Sequence, residues 1–369
     1  MLSVRNLWRR HRRKIFLTAG VLGSGYLLYK LFSAHRHSVQ ELERELAVQR
    51  ENEELVKAQM QAHFENIQRI SDVTLPHALL DLSCRIAEEL DLSLLLERLI
   101  QGKGQPSTLT QSEKLELWSR LKILSFTKMT LSVWATTMLS LYTKVQVNIL
   151  GRHLYIDTAR SLGISSSMES GDVIEREYQK KFLDSVDFLS QHGMPALIFD
   201  MESATKEVLK GKKLSTFFNN TTLHETIMQI LNIFMSMGGP HSLVKYMIPE
   251  DVKSYSTTSG DDDLVPSDVN EFEQLMMEAR EVLSSTEFGS IVEISLKAVV
   301  DTLVELIGAK FSGGSVTAGL PLAKVLPPVA QMCPLLLEEP SKNQFIKVIK
   351  NIQEVELFFT LLYANMPPA

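Results

Sequence analysis

The chain has 369 residues, 44% of them hydrophobic and 22% charged, which excludes general disorder and leaves material for one large core or two smaller ones. The formal charge is −6, but the first forty residues hold eight Lys or Arg and no Asp or Glu, leaving 30 basic against 44 acidic residues, a net −14. A body that acidic is a poor partner for a phosphate backbone, which argues against nucleic-acid binding.

Residues 1–14 form a basic tip, with six Lys or Arg between Arg5 and Lys14. The run from Ile15 to Phe32, IFLTAGVLGSGYLLYKLF, has only Lys30 charged. Eighteen helical residues rise roughly 27 Å, enough to cross a thin hydrocarbon core. Tyr26 and Tyr29 suit an interfacial belt, and Lys30 can reach the headgroups. The segment reads as a retained transmembrane anchor. A cleaved signal or transit peptide and an interfacial helix are the alternatives. No small-x-small cleavage pattern follows Tyr26, and the segment is apolar on all sides. The positive-inside rule puts the arginines in the cytosol and the body across the membrane. Two cysteines, Cys84 and Cys333, in no paired framework suit a reducing compartment and point the other way. Asn219 and Asn220 both satisfy a glycosylation sequon in NNTT, a pattern short enough to occur by chance.

From Val39 to Ile70 apolar residues recur at spacings of three and four, predicting a helix with one packing face. His63 on that seam reads as a packed residue. Pro76 marks the first turn of a second helix that runs to Ile100. GKGQPST, from Gly102, is a loop. Thr110 and Glu113 make a capping-box pattern. The longest uninterrupted element follows, with no Gly or Pro from Ser107 to Leu150. It is apolar on most faces, so it is expected as the central buried helix. The charge-free stretch from Met129 to Thr143 is short for a second span. Further helices are expected over 172–191 with Gly193 as C-cap, from Pro195 to Gly211, over 222–237 closed by Gly238 and Gly239, over 267–283, over 286–311 and over 341–365. The stretches from Asp251 and from Ser312 are loops, and Pro321, Pro327, Pro328 and Pro334 cut the stretch after the second loop into short pieces. No segment alternates as a strand, so the fold class is all-α: an N-terminal anchor followed by an elongated helical bundle around one long helix.

No catalytic constellation is present. There is no P-loop, H-E-x-x-H or G-x-S-x-G. Asp261, Asp262 and Asp263 start like a calcium loop, but Val265 and Pro266 stand where an oxygen ligand and Gly are needed. The nine His are scattered without metal spacing, and no cofactor or small-molecule substrate is implied. A recognition surface is better supported. Trp118 stands near the start of the long helix, with Lys114, Leu117 and Leu121 three or four residues away on its side. Leu99 and Ile100, ending the preceding helix, can form the opposite wall. A Trp among leucines and rimmed by Lys is the composition of a helix-binding groove. The competing reading makes Trp118 ordinary core, the role expected of Trp134.

The blocks EKLELWSRLKILSFTK and VQVNILGRHLYID, with RRHRRKIFLTAGVLGSGY, AHFENIQR, YMIPE, AREVLSSTEFGSIV and LPLAKVLP, resemble the peroxisomal biogenesis factor 3 family, peroxin-3, almost from end to end. The resemblance implies an integral peroxisomal membrane protein with a large cytosolic all-helical domain, residues 33–369 here. That domain would dock peroxin-19, the soluble receptor for newly made peroxisomal membrane proteins, through an amphipathic helix near its N-terminus. The family's groove tryptophan corresponds to Trp118 and its nearby lysine to Lys114; Leu117 and Leu121 fall in the same block. The second groove lysine falls in LPLAKVLP as Lys324. By resemblance the basic tip is lumenal, the reverse of what the positive-inside rule suggests. A membrane-anchored scaffold or tether at the endoplasmic reticulum or mitochondrial outer membrane is the alternative function.

Overall fold

The computed structural model describes residues 72–104, 110–163, 176–238, 243–252, 266–311 and 319–364, with Arg36 and scattered positions between 41 and 69. The predicted basic tip and anchor, His63, Asp261–Asp263 and the loop at 312–318 lie outside the described residues. The chain divides into two compact units, Met1–Ala62 and His63–Ala369. In the first, the positions described at 41–44 and 46–48 are helical, and Leu42 and Leu46 of the expected apolar seam are exposed. Among the described residues, no helix is long and apolar enough to cross a membrane.

Among the described residues, the second unit is helical apart from turns and one two-residue ladder. Its elements are α1 (residues 72–89), α2 (Ser93–Gly104), α3 (Gln111–Gly163), α4 (Arg176–Asp184), a 3-10 turn (Ser185–Asp187), a π turn (Leu189–Gly193), α5 (Met194–Leu209), β1 (Phe217–Phe218), α6 (Asn220–Ser236), α7 (Val244–Met247), α8 (Pro266–Ser284), α9 (Thr286–Phe311), β2 (Leu320–Pro321), α10 (Leu322–Ala330), α11 (Cys333–Leu336), α12 (Gln344–Lys350) and α13 (Gln353–Ala364). The two strands pair antiparallel, Phe217 opposite Pro321 and Phe218 opposite Leu320.

The 53-residue α3 is the hub. It packs against α2, α4, α5, α6 and every helix from α8 to α13. Between Leu121 and Leu150 almost every side chain is buried, as a helix apolar on all faces requires. Four of its buried hydroxyls are satisfied within the helix itself. Thr130, Ser132, Thr137 and Thr143 each donate to a carbonyl four residues earlier, at 2.8 Å, so they need no partner from another element. The charge-free run from Met129 to Thr143 is therefore protein core. Trp134 at its centre is fully buried, with Phe234 and Tyr246 edge-on at centroid distances of 5.4 and 5.7 Å; each such pair adds ~1 kcal/mol to the area buried.

Five expectations are corrected. The loop expected from Gly102 starts later, because α2 continues to Gly104. Helical residues begin by Asp72, so Pro76 does not open α1; its fixed φ is helical, and burial of Leu75, Ala78, Leu79 and Leu82 outweighs one lost hydrogen bond. The predicted helix to Ile100 breaks at residues 90–92, where Asp91 accepts from Ser93 N at 2.9 Å and starts α2. Gly193 is not a C-cap: at φ −75° it carries the chain from the π turn straight into α5. Glycine is needed there because a Cβ would run into the Tyr246 carbonyl. The last predicted helix is two. Buried Asn343 caps α12 by accepting from Phe345 N and Ile346 N, while its own amide donates to Leu336 O and Glu338 O. The break at Asn351 and Ile352 then starts α13. Gly238, by contrast, takes φ 89° after α6, the left-handed end expected of it.

Candidate functional site

The first turns of α3 are set by their own sequence. Thr110 N donates to Glu113 Oε2 at 2.7 Å, and Glu113 N donates back to Thr110 Oγ1 at 3.3 Å. This is a reciprocal capping box, which satisfies orphan amides and fixes where the helix begins. Thr110 Oγ1 also donates to Glu113 Oε2 at 2.7 Å; that bond first, and the one from Thr110 N second, hold the Glu113 carboxyl below its ordinary range.

From that start Lys114, Leu117, Trp118, Leu121 and Leu124 follow at helical spacing. Leu121 is buried with Leu92, Leu95 and Leu99 in one apolar cluster, and Leu117, Trp118, Leu124 and Ala330 pack against it half-buried. Four of the seven expected residues, Leu99, Leu117, Trp118 and Leu121, thus share one cluster. Ile100 does not belong to it; one residue on from Leu99, it turns outward and is 68% exposed. Lys114 is half-buried. Lys324 is exposed on α10, six residues and about 9 Å of helix axis before Ala330. Sequence reasoning missed Leu92, Leu95, Leu124 and Ala330. The first two were detectable, since Leu92, Leu95 and Leu99 repeat at three and four; Ala330 carries no signal, because nothing local says which helix it meets.

The two helices that form this cluster also expose large apolar side chains. Leu94, Leu96, Ile100 and Leu115 are 68%, 41%, 68% and 60% exposed, all on α2 or the first turns of α3. Large apolar side chains grouped this way mark an interaction surface more often than scattered single ones do.

Beneath it the scaffold is pinned by buried cations. Lys122 Nζ donates to Leu209 O at 3.1 Å and Lys212 O at 2.8 Å, tying α3 to the carbonyl end of α5. Burial pushes its pKa down. Lys212 Nζ in turn donates to Thr226 Oγ1 at 2.6 Å. Beyond this segment the backbone pairs with the start of α10: Leu322 N donates to Thr216 O at 2.8 Å and Ala323 N to Leu214 O at 3.1 Å. The chain next to Lys324 is held to the same framework that holds Trp118.

Cys333 is buried against Ser132 Oγ at 3.0 Å, and burial pushes its thiol pKa up, the wrong direction for a reactive thiolate. A cleft of about 850 Å³ between α6 and α9 is lined mainly by Met228, Leu231, Met235, Phe288 and Ile294, with Glu293 and Lys297 its titratable groups.

Comparison with known proteins gives a consistent answer. The Peroxin-3 family profile matches residues 101–365. The chain is 56% identical to peroxisome biogenesis protein 3-2 of Arabidopsis thaliana over 99% of both chains. It is 28% identical to peroxisomal biogenesis factor 3 of Homo sapiens, covering 98% of this chain and 96% of that one.

Proposed function

Because the chain belongs to the Peroxin-3 family and so has a role in peroxisome biogenesis, we propose that it is the peroxisomal membrane docking receptor for peroxin-19. Residues 15–32 anchor it in the bilayer, residues 1–14 form the lumenal basic tip, and residues 33–369 face the cytosol. An amphipathic helix near the N-terminus of peroxin-19 lays its apolar side on Trp118, Leu117 and the exposed leucines. Lys114 and Lys324 meet acidic groups at the rim, and Ile100 extends the wall on the α2 side. The chemistry is non-covalent. Docking holds peroxin-19 and its membrane-protein cargo beside the bilayer that receives the cargo.

The observation that carries this reading is the state of Trp118. Its indole is half-buried on a leucine cluster and bordered by exposed apolar side chains. A fully packed indole could not be a partner's anchor, and an isolated exposed one would have no floor. Aromatic side chains in this position carry much of the energy of helix-in-groove binding.

Calorimetric titration of the full-length chain in detergent with a peptide of the peroxin-19 helix tests it. Trp118→Ala is expected to weaken binding by about 2 kcal/mol or more, with a thermal midpoint close to wild type. Unchanged affinity would overturn the assignment.

A further inference from the structure

Away from the docking surface, two elements distant in sequence bring three metal-ligating side chains together. His77 and Asp81 stand one helical turn apart on α1, with Nδ1 and Oδ2 3.3 Å from each other. Asp187 ends the 3-10 turn that follows α4. One donor atom from each of the three lies within 4.8 Å of the other two. Asp187 adds an independent sign of a missing counter-charge: its Oδ1 is closed off from solvent and has no hydrogen-bond partner. A carboxylate oxygen in that condition is costly unless a cation meets it. Burial is what chiefly disfavours its charge; His77 acts the other way, and Asp81 and Asp184 add repulsion.

We propose that His77, Asp81 and Asp187 bind one divalent transition-metal ion of the zinc type. An imidazole nitrogen with carboxylate oxygens suits such an ion, whereas magnesium and calcium take all-oxygen shells. Tetrahedral ligation at about 2.0–2.2 Å separates donor atoms by roughly 3.4 Å. The His77–Asp81 pair already has that separation, and the Asp187 donor stands within 4.8 Å of both. The exposed position of His77 leaves the fourth site to water. The ion ties α1 to the turn between α4 and α5. The spacing of His77 and Asp81 is visible in the sequence; the third ligand is supplied only by folding.

The test uses the full-length protein in detergent, stripped with EDTA, in a Cys84→Ser background that removes the exposed thiol. Co²⁺ is followed by its visible absorption and Zn²⁺ by calorimetry and thermal unfolding. One equivalent per chain is expected, with a raised thermal midpoint. His77→Gln and Asp187→Asn are each expected to weaken binding at least as much as loss of an outer-sphere partner does, ~10-fold or more. Asp187→Asn keeps the side-chain size and removes the repulsion, so its metal-free midpoint should equal or exceed that of the parent, which separates lost ligation from lost folding. If Asp187→Asn does not fold, His77→Gln, at an exposed position, decides alone. Absence of stoichiometric binding, or binding that survives the substitutions, overturns the proposal.

Discussion

Two tryptophans on α3 differ only in what surrounds them. Trp134 is enclosed by Phe234 and Tyr246, while Trp118 keeps part of its surface free above Leu99 and Leu121. The leucines beside Trp118 on its own helix were legible because neighbours at three and four share a face. Gly193 was legible as important but not in its role. A glycine after an amphipathic stretch reads as a helix end, yet here it lets the Tyr246 carbonyl approach the helix. Gly193→Ala must therefore displace backbone rather than a flexible side chain. We expect it to destabilise by about 1–3 kcal/mol, read as a lower urea midpoint with unchanged slope; an unchanged midpoint would show that α7 yields without cost.

At the scale of elements, the start of α3 is the best-determined feature, since a capping box is local and its residues are three apart. Thr110→Ala should fray the first turn and cost about 1 kcal/mol of stability. Hydrogen exchange at residues 111–114 should quicken while that around Trp134 stays slow. Acid should have the same local effect. Glu113 is held below its ordinary value of 4.5 in the folded chain, so its contribution is complete above that value and is lost as the pH falls through the lower folded one. Exchange that does not change below pH 4 would contradict the capping role. The helix breaks at residues 90–92 and at Asn351 were not legible, because each interruption is too short to disturb the apolar period across it. At the first break the Asp91 side chain marks the turn by accepting from Ser93 N; at the second no side chain among the described residues does, and Asn351 N closes α12 on Lys347 O and Val348 O.

For the whole molecule, family membership joins a basic, apolar N-terminus to a helical body built on α3. The proposed topology makes a definite prediction. In intact peroxisomes, added protease should destroy an epitope at the C-terminus and spare one placed before Arg5; the opposite pattern would invert the orientation. The sequence by itself determined the all-α class, the cap that starts α3, the anchor candidate and the Trp118 face, because each follows from period, polarity or capping over a few neighbouring residues. The tertiary structure alone decided that the Leu92–Leu95–Leu99 face of α2 meets α3 there, that Ala330 completes the cluster under Trp118, that Ile100 turns outward from it, and that Asp187 joins His77. Those contacts depend on which helices meet α3 and at what depth, a property of packing between distant segments that no local pattern encodes.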